Sequence, residues 1–180
     1  AAVLGLDDDT VRAACAEAAQ GEVLEAVNLN SPGQVVIAGH KAAVERGIET
    51  AKAKGAKRAL LLPVSVPSHC ALMKPAADEL AGYLQDIDFA SAQIPVLHNA
   101  DVVAYDDAAK VKGALVRQLY SPVRWVETVQ AVHASGVVAT AECGPGKVLA
   151  GLVKRTVAEL PCLALVNQEA LTEAQAQFNQ

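Results

Sequence analysis

The residue best suited to acid–base chemistry is His69, in the segment Val64-Ser65-Val66-Pro67-Ser68-His69-Cys70-Ala71-Leu72-Met73-Lys74-Pro75. An apolar run over residues 58–63 precedes this segment, and a helical pattern over residues 72–85 follows it. Loops at the ends of buried strands are common places for functional side chains in α/β proteins. Local pattern alone nevertheless favours a structural role, because a lone histidine proves little.

Ser68 directly precedes His69 but is poorly placed to act as its nucleophile. Neighbouring side chains on an extended chain point in opposite directions, so the hydroxyl and the imidazole face apart. A hydrolase-like pair would need a serine from elsewhere, and the 180 residues contain no GxSxG nucleophile elbow. The residues of this chain therefore do not complete a nucleophilic site.

Three other groups of residues have polar side chains at the ends of predicted elements. Gly144-Pro145-Gly146-Lys147 lacks phosphate-loop spacing and predicts a tight strand-to-helix turn. Lys154 and Arg155 favour either a solvated helix terminus or a basic contact for an acidic protein or a phosphate group. Asn28 and Asn30 flank a predicted turn, where asparagine is common, and could also face a cleft.

Composition excludes several classes of protein. Apolar residues make up 52% and charged residues 19%, which excludes a disordered chain. The net charge of −5 and the 3% aromatic content argue against a nucleic-acid partner. No apolar run approaches the roughly 20 residues of a membrane span. The four cysteines show no CxxC spacing, so we expect no metal site and a reducing, cytoplasmic location.

The pattern of strands and helices predicts an α/β chain in two parts. Residues 1–65 predict a ferredoxin-like βαββαβ unit, with helices over 10–19 and 41–54 and later strands over 23–30, 34–39 and 58–63. Residues 66–180 predict a largely parallel sheet covered by helices. The strands are expected over 94–99, 137–143 and 162–166, and the helices over 72–85, 108–120, 124–134 and 148–159.

Four separated motifs follow one another along the chain. They are Asn28-Leu29-Asn30-Ser31-Pro32-Gly33-Gln34-Val35-Val36-Ile37-Ala38-Gly39, Val66-Pro67-Ser68-His69, Arg117-Gln118-Leu119-Tyr120-Ser121-Pro122-Val123-Arg124-Trp125 and Gly144-Pro145-Gly146-Lys147-Val148-Leu149. Together they closely resemble the malonyl-CoA:acyl carrier protein transacylases of bacterial type II fatty acid synthesis. The resemblance implies part of an α/β-hydrolase-like large subdomain, residues 66–180, with an inserted ferredoxin-like small subdomain, residues 1–65. Acyltransferase domains of polyketide synthases share the layout but usually have a different tetrapeptide ending in the histidine.

This resemblance implies a ping-pong transfer of malonyl from coenzyme A to the phosphopantetheine thiol of acyl carrier protein. His69 matches the family's catalytic base, and Gln118 matches the residue whose backbone carbonyl orients it. The residues matched to substrate binding are Ser68, Asn28 and Asn30, while Lys154 and Arg155 match a contact with the acidic carrier protein. No cofactor is implied, because coenzyme A and phosphopantetheine act as carriers of the substrate.

The family's other catalytic parts have no match in the 180 residues. These parts are a glutamine-containing oxyanion loop, a GHSxG serine and an arginine that pairs with the malonyl carboxylate. We expect a missing amino-terminal segment of the same protein, or a second chain, to supply them, and the isolated chain to be inactive. The alternative hypothesis is a catalytically silent fragment that binds acyl groups or carrier protein.

Overall fold

A computed structural model describes residues 1–178 of this α/β chain, which divides into two compact units, Ala1–Trp125 and the residues from Val126 onward. No helix within residues 1–178 combines the length and apolar character needed to cross a bilayer. In chain order the elements are β1 (Ala2–Leu4), α1 (Asp8–Ala19), β2 (Leu24–Ser31), β3 (Gln34–Gly39), α2 (Lys41–Ala53), β4 (Arg58–Leu60), a 3₁₀ turn (Ala71–Met73), α3 (Lys74–Gln85), β5 (Leu97–His98), β6 (Val103–Ala104), α4 (Ala108–Arg117), α5 (Trp125–Ala134), β7 (Thr140–Glu142), α6 (Val148–Thr156), β8 (Cys162–Ala164) and α7 (Gln168–Phe178).

The first unit begins with a four-stranded sheet in the order β2-β3-β1-β4, in which all neighbouring strands are antiparallel. Its elements follow one another as β1-α1-β2-β3-α2-β4. Helix α1 begins where the Asp7 carboxylate accepts a hydrogen bond from the Thr10 amide at 2.8 Å, which caps the helix. Buried residues recur along α1 at the spacing of one helix face, namely Val11, Ala14, Cys15 and Ala18.

The core of this sheet lies between its strands and the two helices. Val3, Val35 and Ile37 are almost fully buried, and they pack in one cluster with apolar residues of both helices. The turn between β2 and β3 requires Gly33, whose φ of 74° lies in the left-handed region. The Gly33 carbonyl also accepts the Gly5 amide at 2.8 Å, which ties this turn to the end of β1.

The rest of the first unit is less regular. Residues 61–70 run without strand or helix from β4 to the 3₁₀ turn, and α3 follows with Pro75 in its first turn. Strands β5 and β6 form a short antiparallel pair, so the strands after residue 66 form this pair and a separate parallel pair and not the predicted, largely parallel sheet. The pairing is antiparallel because the chain reverses within residues 99–102 and places β6 directly beside β5.

The second unit contains the parallel pair β7–β8, with Thr140 beside Cys162 and Glu142 beside Ala164. Helix α6 connects the two strands, as expected for a parallel crossover, and α7 follows β8. The sequence predicted β7, α6 and β8 but not α7. The predicted division at residue 65 differs from the division into compact units and stays a prediction.

Candidate active site around His69

His69 has an unusual backbone conformation for a residue other than glycine. Its φ is 66°, in the left-handed region, which costs of order 1–3 kcal/mol for such a residue. The backbone amide of His69 donates a hydrogen bond to the Leu119 carbonyl at 2.9 Å. Strained residues that the surrounding structure holds in place cluster at active sites. This backbone geometry therefore supports His69 as a candidate active-site residue.

The His69 side chain is held by the neighbouring carbonyl. Nδ1 lies 2.7 Å from the carbonyl oxygen of Gln118. Because a carbonyl oxygen only accepts hydrogen bonds, Nδ1 must carry the proton in this contact. The Nε2 atom of the neutral ring therefore has a free lone pair, as a general base requires.

Both carbonyls that hold His69 lie at the carboxyl end of α4. The last carbonyls of a helix have no partner within the helix, so they are available to other donors. Gln118 caps the helix, with its amide bonded to the Ala114 carbonyl, and its own carbonyl is free to accept from His69. The predicted helix over 108–120 is therefore too long by one turn.

A cleft of about 410 Å³ lies beside the residues that precede His69. Ser68, Val66 and Leu62 form part of its wall, together with Asn28 of β2 and Lys41 of α2. Among the predicted substrate-binding residues, the structure thus brings Ser68 and Asn28 to one cavity. Asn30 shares its half-exposed strand face with Asn28 but lies outside the described wall of this cleft.

Lys154 and Arg155 are exposed and lie in the last turn of α6. Residues 143–147 form the connection between β7 and α6, as the sequence predicts. The buried Glu142 carboxylate accepts a hydrogen bond from the Ala150 amide at 2.8 Å, within the first turn of α6. A carboxylate already occupies part of the positive end of this helix, which argues against a phosphate loop there.

An ion pair at the carboxyl end of α4 was missed by the sequence-based reasoning. The guanidinium of Arg117, the last residue of α4, forms an ion pair with the Asp101 carboxylate at 2.5 Å. Hydrogen bonding from Arg117 lowers the pKa of Asp101, so this carboxylate is charged at neutral pH. The available signal was the position of Arg117 directly before Gln118, within the third motif.

Cys70 adjoins His69 but is a poor substitute for a serine nucleophile. It is fully buried, and its thiol donates a hydrogen bond to the Pro67 carbonyl at 3.2 Å. Burial raises the pKa of Cys70, and it raises the pKa of Cys15 to about 12. Cys143 is exposed.

We expect iodoacetamide at neutral pH to label Cys143 at least about tenfold faster than Cys70, because thiolate formation and access both control alkylation. Peptide mapping by mass spectrometry at successive times measures the two rates, with urea-unfolded protein as the control in which both cysteines react. Equal rates in the folded protein would show that Cys70 is accessible and reactive.

A family model described as "Acyl transferase domain" matches residues 2–176. The chain belongs to the acyl transferase family. Among relatives of this acyl transferase chain, the malonyl CoA-acyl carrier protein transacylase of Salmonella typhimurium is 57% identical over 176 residues. The match covers 98% of this chain and 57% of that protein, so the chain spans a little over half the length of such relatives.

Solved structures of similar proteins match the acyl transferase chain over the same extent. An acyl carrier protein S-malonyltransferase from Vibrio cholerae is 59% identical, with a TM-score of 0.94 over 96% of this chain and 56% of that one. A malonyl-transacylase solved in complex with a type II polyketide synthase acyl carrier protein is 53% identical. Its TM-score is 0.96, over 98% of this chain and 57% of that one.

Proposed function

We propose that this chain is the histidine-bearing part of a malonyl-CoA:acyl carrier protein transacylase. Relatives with that name are 56–57% identical to it over nearly its whole length. The observation that carries the proposal is the contact between His69 Nδ1 and the Gln118 carbonyl at 2.7 Å, because it leaves Nε2 free to accept a proton. This geometry is what a general base for a serine or thiol nucleophile needs.

In the first half-reaction, a serine hydroxyl attacks the thioester carbonyl of malonyl-CoA and His69 Nε2 accepts the hydroxyl proton. The tetrahedral intermediate then collapses, the carbon–sulfur bond breaks, and His69 returns the proton to the departing coenzyme A thiolate. In the second half-reaction, the phosphopantetheine thiol of the carrier protein gives its proton to His69 and attacks the malonyl-serine ester. Breakdown of this intermediate regenerates the serine hydroxyl and leaves malonyl on the carrier protein.

The end of α4 contributes to this chemistry in two ways. The Gln118 carbonyl keeps a proton on Nδ1, so Nε2 is the nitrogen that accepts the reacting proton and later returns it. The carboxyl end of a helix also has partial negative charge, which stabilises the imidazolium that forms during each transfer. A neutral carbonyl does this without placing a second full charge beside the ring.

The cleft beside Ser68 is a suitable place for the acyl or pantetheine part of the substrate. Asn28 offers an amide that can both donate to and accept from the amides of the pantetheine arm. Asn30, next on the same strand face, is proposed as a further contact. Ser68 leaves room for the acyl group, with modest selectivity, because one methyl group in a pocket is worth about 1–3 kcal/mol.

Lys154 and Arg155 are proposed to contact the acidic carrier protein, because both are exposed on one helix turn. The solved relative in complex with a carrier protein supports such a partner class. That carrier protein comes from a type II polyketide synthase, so a polyketide carrier is the second candidate for the acceptor. No cofactor takes part, since coenzyme A and phosphopantetheine themselves hold the acyl group as thioesters.

The two-part description of the fold belongs to this proposal as well. Residues 1–65 would be a ferredoxin-like small subdomain, which the strand order β2-β3-β1-β4 and the two helices support. Residues 66–180 would be part of an α/β-hydrolase-like large subdomain, which the parallel pair β7–β8 supports.

We further propose that the nucleophilic serine comes from outside these 180 residues. We expect no acyl-enzyme when the isolated chain is mixed with malonyl-CoA. We expect full serine acylation in a chimera in which the chain replaces the matching 174 residues of the Escherichia coli transacylase. Intact-protein mass spectrometry measures the added malonyl group in both samples.

Acylation of the isolated chain would overturn the proposal that the serine lies elsewhere. A folded chimera without acylation would instead favour the catalytically silent binding fragment. Circular dichroism of both proteins provides the control for folding.

A further inference from the structure

Asp101 lies in the turn between β5 and β6, and its carboxylate holds two side chains, those of Arg117 and Tyr105. Its carboxylate receives the Arg117 guanidinium, from Nη2 at 2.5 Å and from Nε at 3.5 Å, so the contact is two-pronged. The Tyr105 hydroxyl donates to the same carboxylate at 3.2 Å. Two-pronged contacts between arginine and a carboxylate fix orientation as well as distance.

The loop that presents Asp101 is itself tightly constrained. The amides of Asp101 and Val102 both donate to the His98 carbonyl, at 3.2 and 2.7 Å. Val102 has a φ of 58°, which is unfavourable for a β-branched residue and needs support from its surroundings. From the segment after α4, the amide of Arg124 donates to the Asn99 carbonyl at 3.0 Å.

The Arg124 side chain holds the same loop from a second direction. Its guanidinium donates to the carbonyls of Ala100 and Asp101, each at 3.4 Å. Behind the loop, His98 is buried and its ring lies 5.6 Å from the ring of Tyr105. The Asp101 carboxylate is thus held in one position, and the Arg117 guanidinium is bound to it.

We infer that Asp101 and Arg117 are a positioning pair that directs the Gln118 carbonyl at His69. The inference rests on the proposed function, in which His69 is the base. Arg117 immediately precedes Gln118, and only the φ and ψ rotations of Gln118 separate the peptide plane that joins the two residues from the Gln118 carbonyl. Anchoring the Arg117 side chain therefore limits the rotation of the last turn of α4, and with it the direction of the carbonyl that orients the imidazole.

The solvent exposure of this pair argues against a role in stability alone. The side chains of Arg117 and Asp101 are 40% and 21% exposed, and exposed ion pairs contribute little to stability. The position of a catalytic group matters far more, because a shift of about 1 Å costs roughly 100-fold in rate. Loss of the pair should therefore alter the orientation of the His69 imidazole more than it lowers the stability of the folded chain.

The first test reads the tautomer of His69 in the chain itself, by nitrogen-15 NMR of imidazole-labelled protein. We expect the proton on Nδ1 in the native chain, and a mixture of Nδ1 and Nε2 protonation in Arg117→Ala and in Asp101→Asn. Arg46→Ala is the matched control, because it also removes an arginine that pairs with a carboxylate, Glu22, at 2.8 Å. An unchanged tautomer in both variants of the pair overturns the inference.

The second test measures malonyl transfer in the chimera described above. We expect Arg117→Ala to lower kcat by about 10- to 100-fold with KM within about twofold, because orientation and not binding is lost. Asp101→Asn combined with Arg117→Ala should cost no more than Arg117→Ala alone, since both remove the same contact. Additive losses in the double variant would contradict a shared role.

The two tests separate this inference from the function on which it rests. If His69→Ala in the chimera retains full activity, the proposed base is wrong, whatever the tautomer shows. If His69→Ala is inactive while the tautomer is unaffected by Arg117→Ala and Asp101→Asn, the function stands and the positioning pair fails. Asp101→Asn keeps the shape of the side chain, so it reports on the contact even if Arg117→Ala folds poorly.

Discussion

Replacing His69 with alanine in the chimera with the Escherichia coli transacylase is expected to lower kcat/KM for malonyl transfer by about 10²- to 10⁴-fold, the usual contribution of a positioned general base. The expected loss is large because Nε2 of His69 handles a proton in both half-reactions. Without the imidazole, the serine hydroxyl has no acceptor and the departing thiolate has no donor. Steady-state transfer to carrier protein measures the loss, and mass spectrometry measures serine acylation separately.

His133→Ala is a suitable control for the His69 variant. His133 lies in α5, its side chain is 40% exposed, and Nε2 is 3.5 Å from the Glu159 carboxylate. It has no part in the proposed chemistry, and alanine suits a helix position. Activity of His69→Ala equal to that of His133→Ala would remove His69 from the mechanism.

Most helices and strands of the chain could be predicted from the sequence, and two of the helices begin at acidic residues that are recognisable as caps. Asp7 and Asp107 cap α1 and α4 through hydrogen bonds to the amides three residues later. The signal for α7 was also present, since the Asn167 side chain accepts from the Ala170 amide at 2.8 Å. The predicted helices and strands end at residue 166, so they do not include this helix.

The bounds of β3 match the predicted strand over 34–39, but the lengths of β4 and β7 could not be predicted, because a partner strand sets them. The apolar run over 58–63 predicts six residues, but β4 has three, since it pairs with β1 only from Ala2 to Leu4. The run over 137–143 predicts seven residues, but only Thr140 to Glu142 form β7, because only these residues pair with β8. Hydrophobicity indicates where a strand can form, whereas pairing with another strand decides how many of those residues form it.

The candidate site, too, could be predicted from the sequence only in part. The residues His69 and Gln118 came from the resemblance to a family, and the structure then brought Nδ1 within 2.7 Å of the carbonyl. Asp101 and Arg117 lie 16 residues apart in the sequence, and no helical or strand spacing connects them. Val102, next to Asp101 in the loop, adopts a left-handed conformation for which a β-branched residue has no sequence signal.

The end of β3 allows no side chain at Gly39, and this constraint leads to the largest stability change that we expect. A Cβ at this position would lie 2.8 Å from the Leu24 Cα and would overlap the Val23 carbonyl oxygen. Those atoms are the backbone of the neighbouring chain segment, so they cannot rotate away as a side chain can. The same Val23 carbonyl accepts the His40 amide at 2.9 Å, and any shift that admits a Cβ strains this bond as well.

Gly39→Ala is therefore expected to lower the free energy of unfolding by about 3 kcal/mol or more, at the upper end of what overpacking costs. For a chain of this size, a loss of that magnitude lowers Tm by about 6–12 °C. Gly82→Ala is the matched control: a Cβ there meets no atom within 4 Å, and Gly82 lies inside α3, where alanine adds about 1 kcal/mol of helix propensity. Thermal melts followed by circular dichroism should thus move in opposite directions for the two variants. If the Gly39→Ala protein has the same Tm as the native chain, β2 and β3 can separate at this end with little loss of stability.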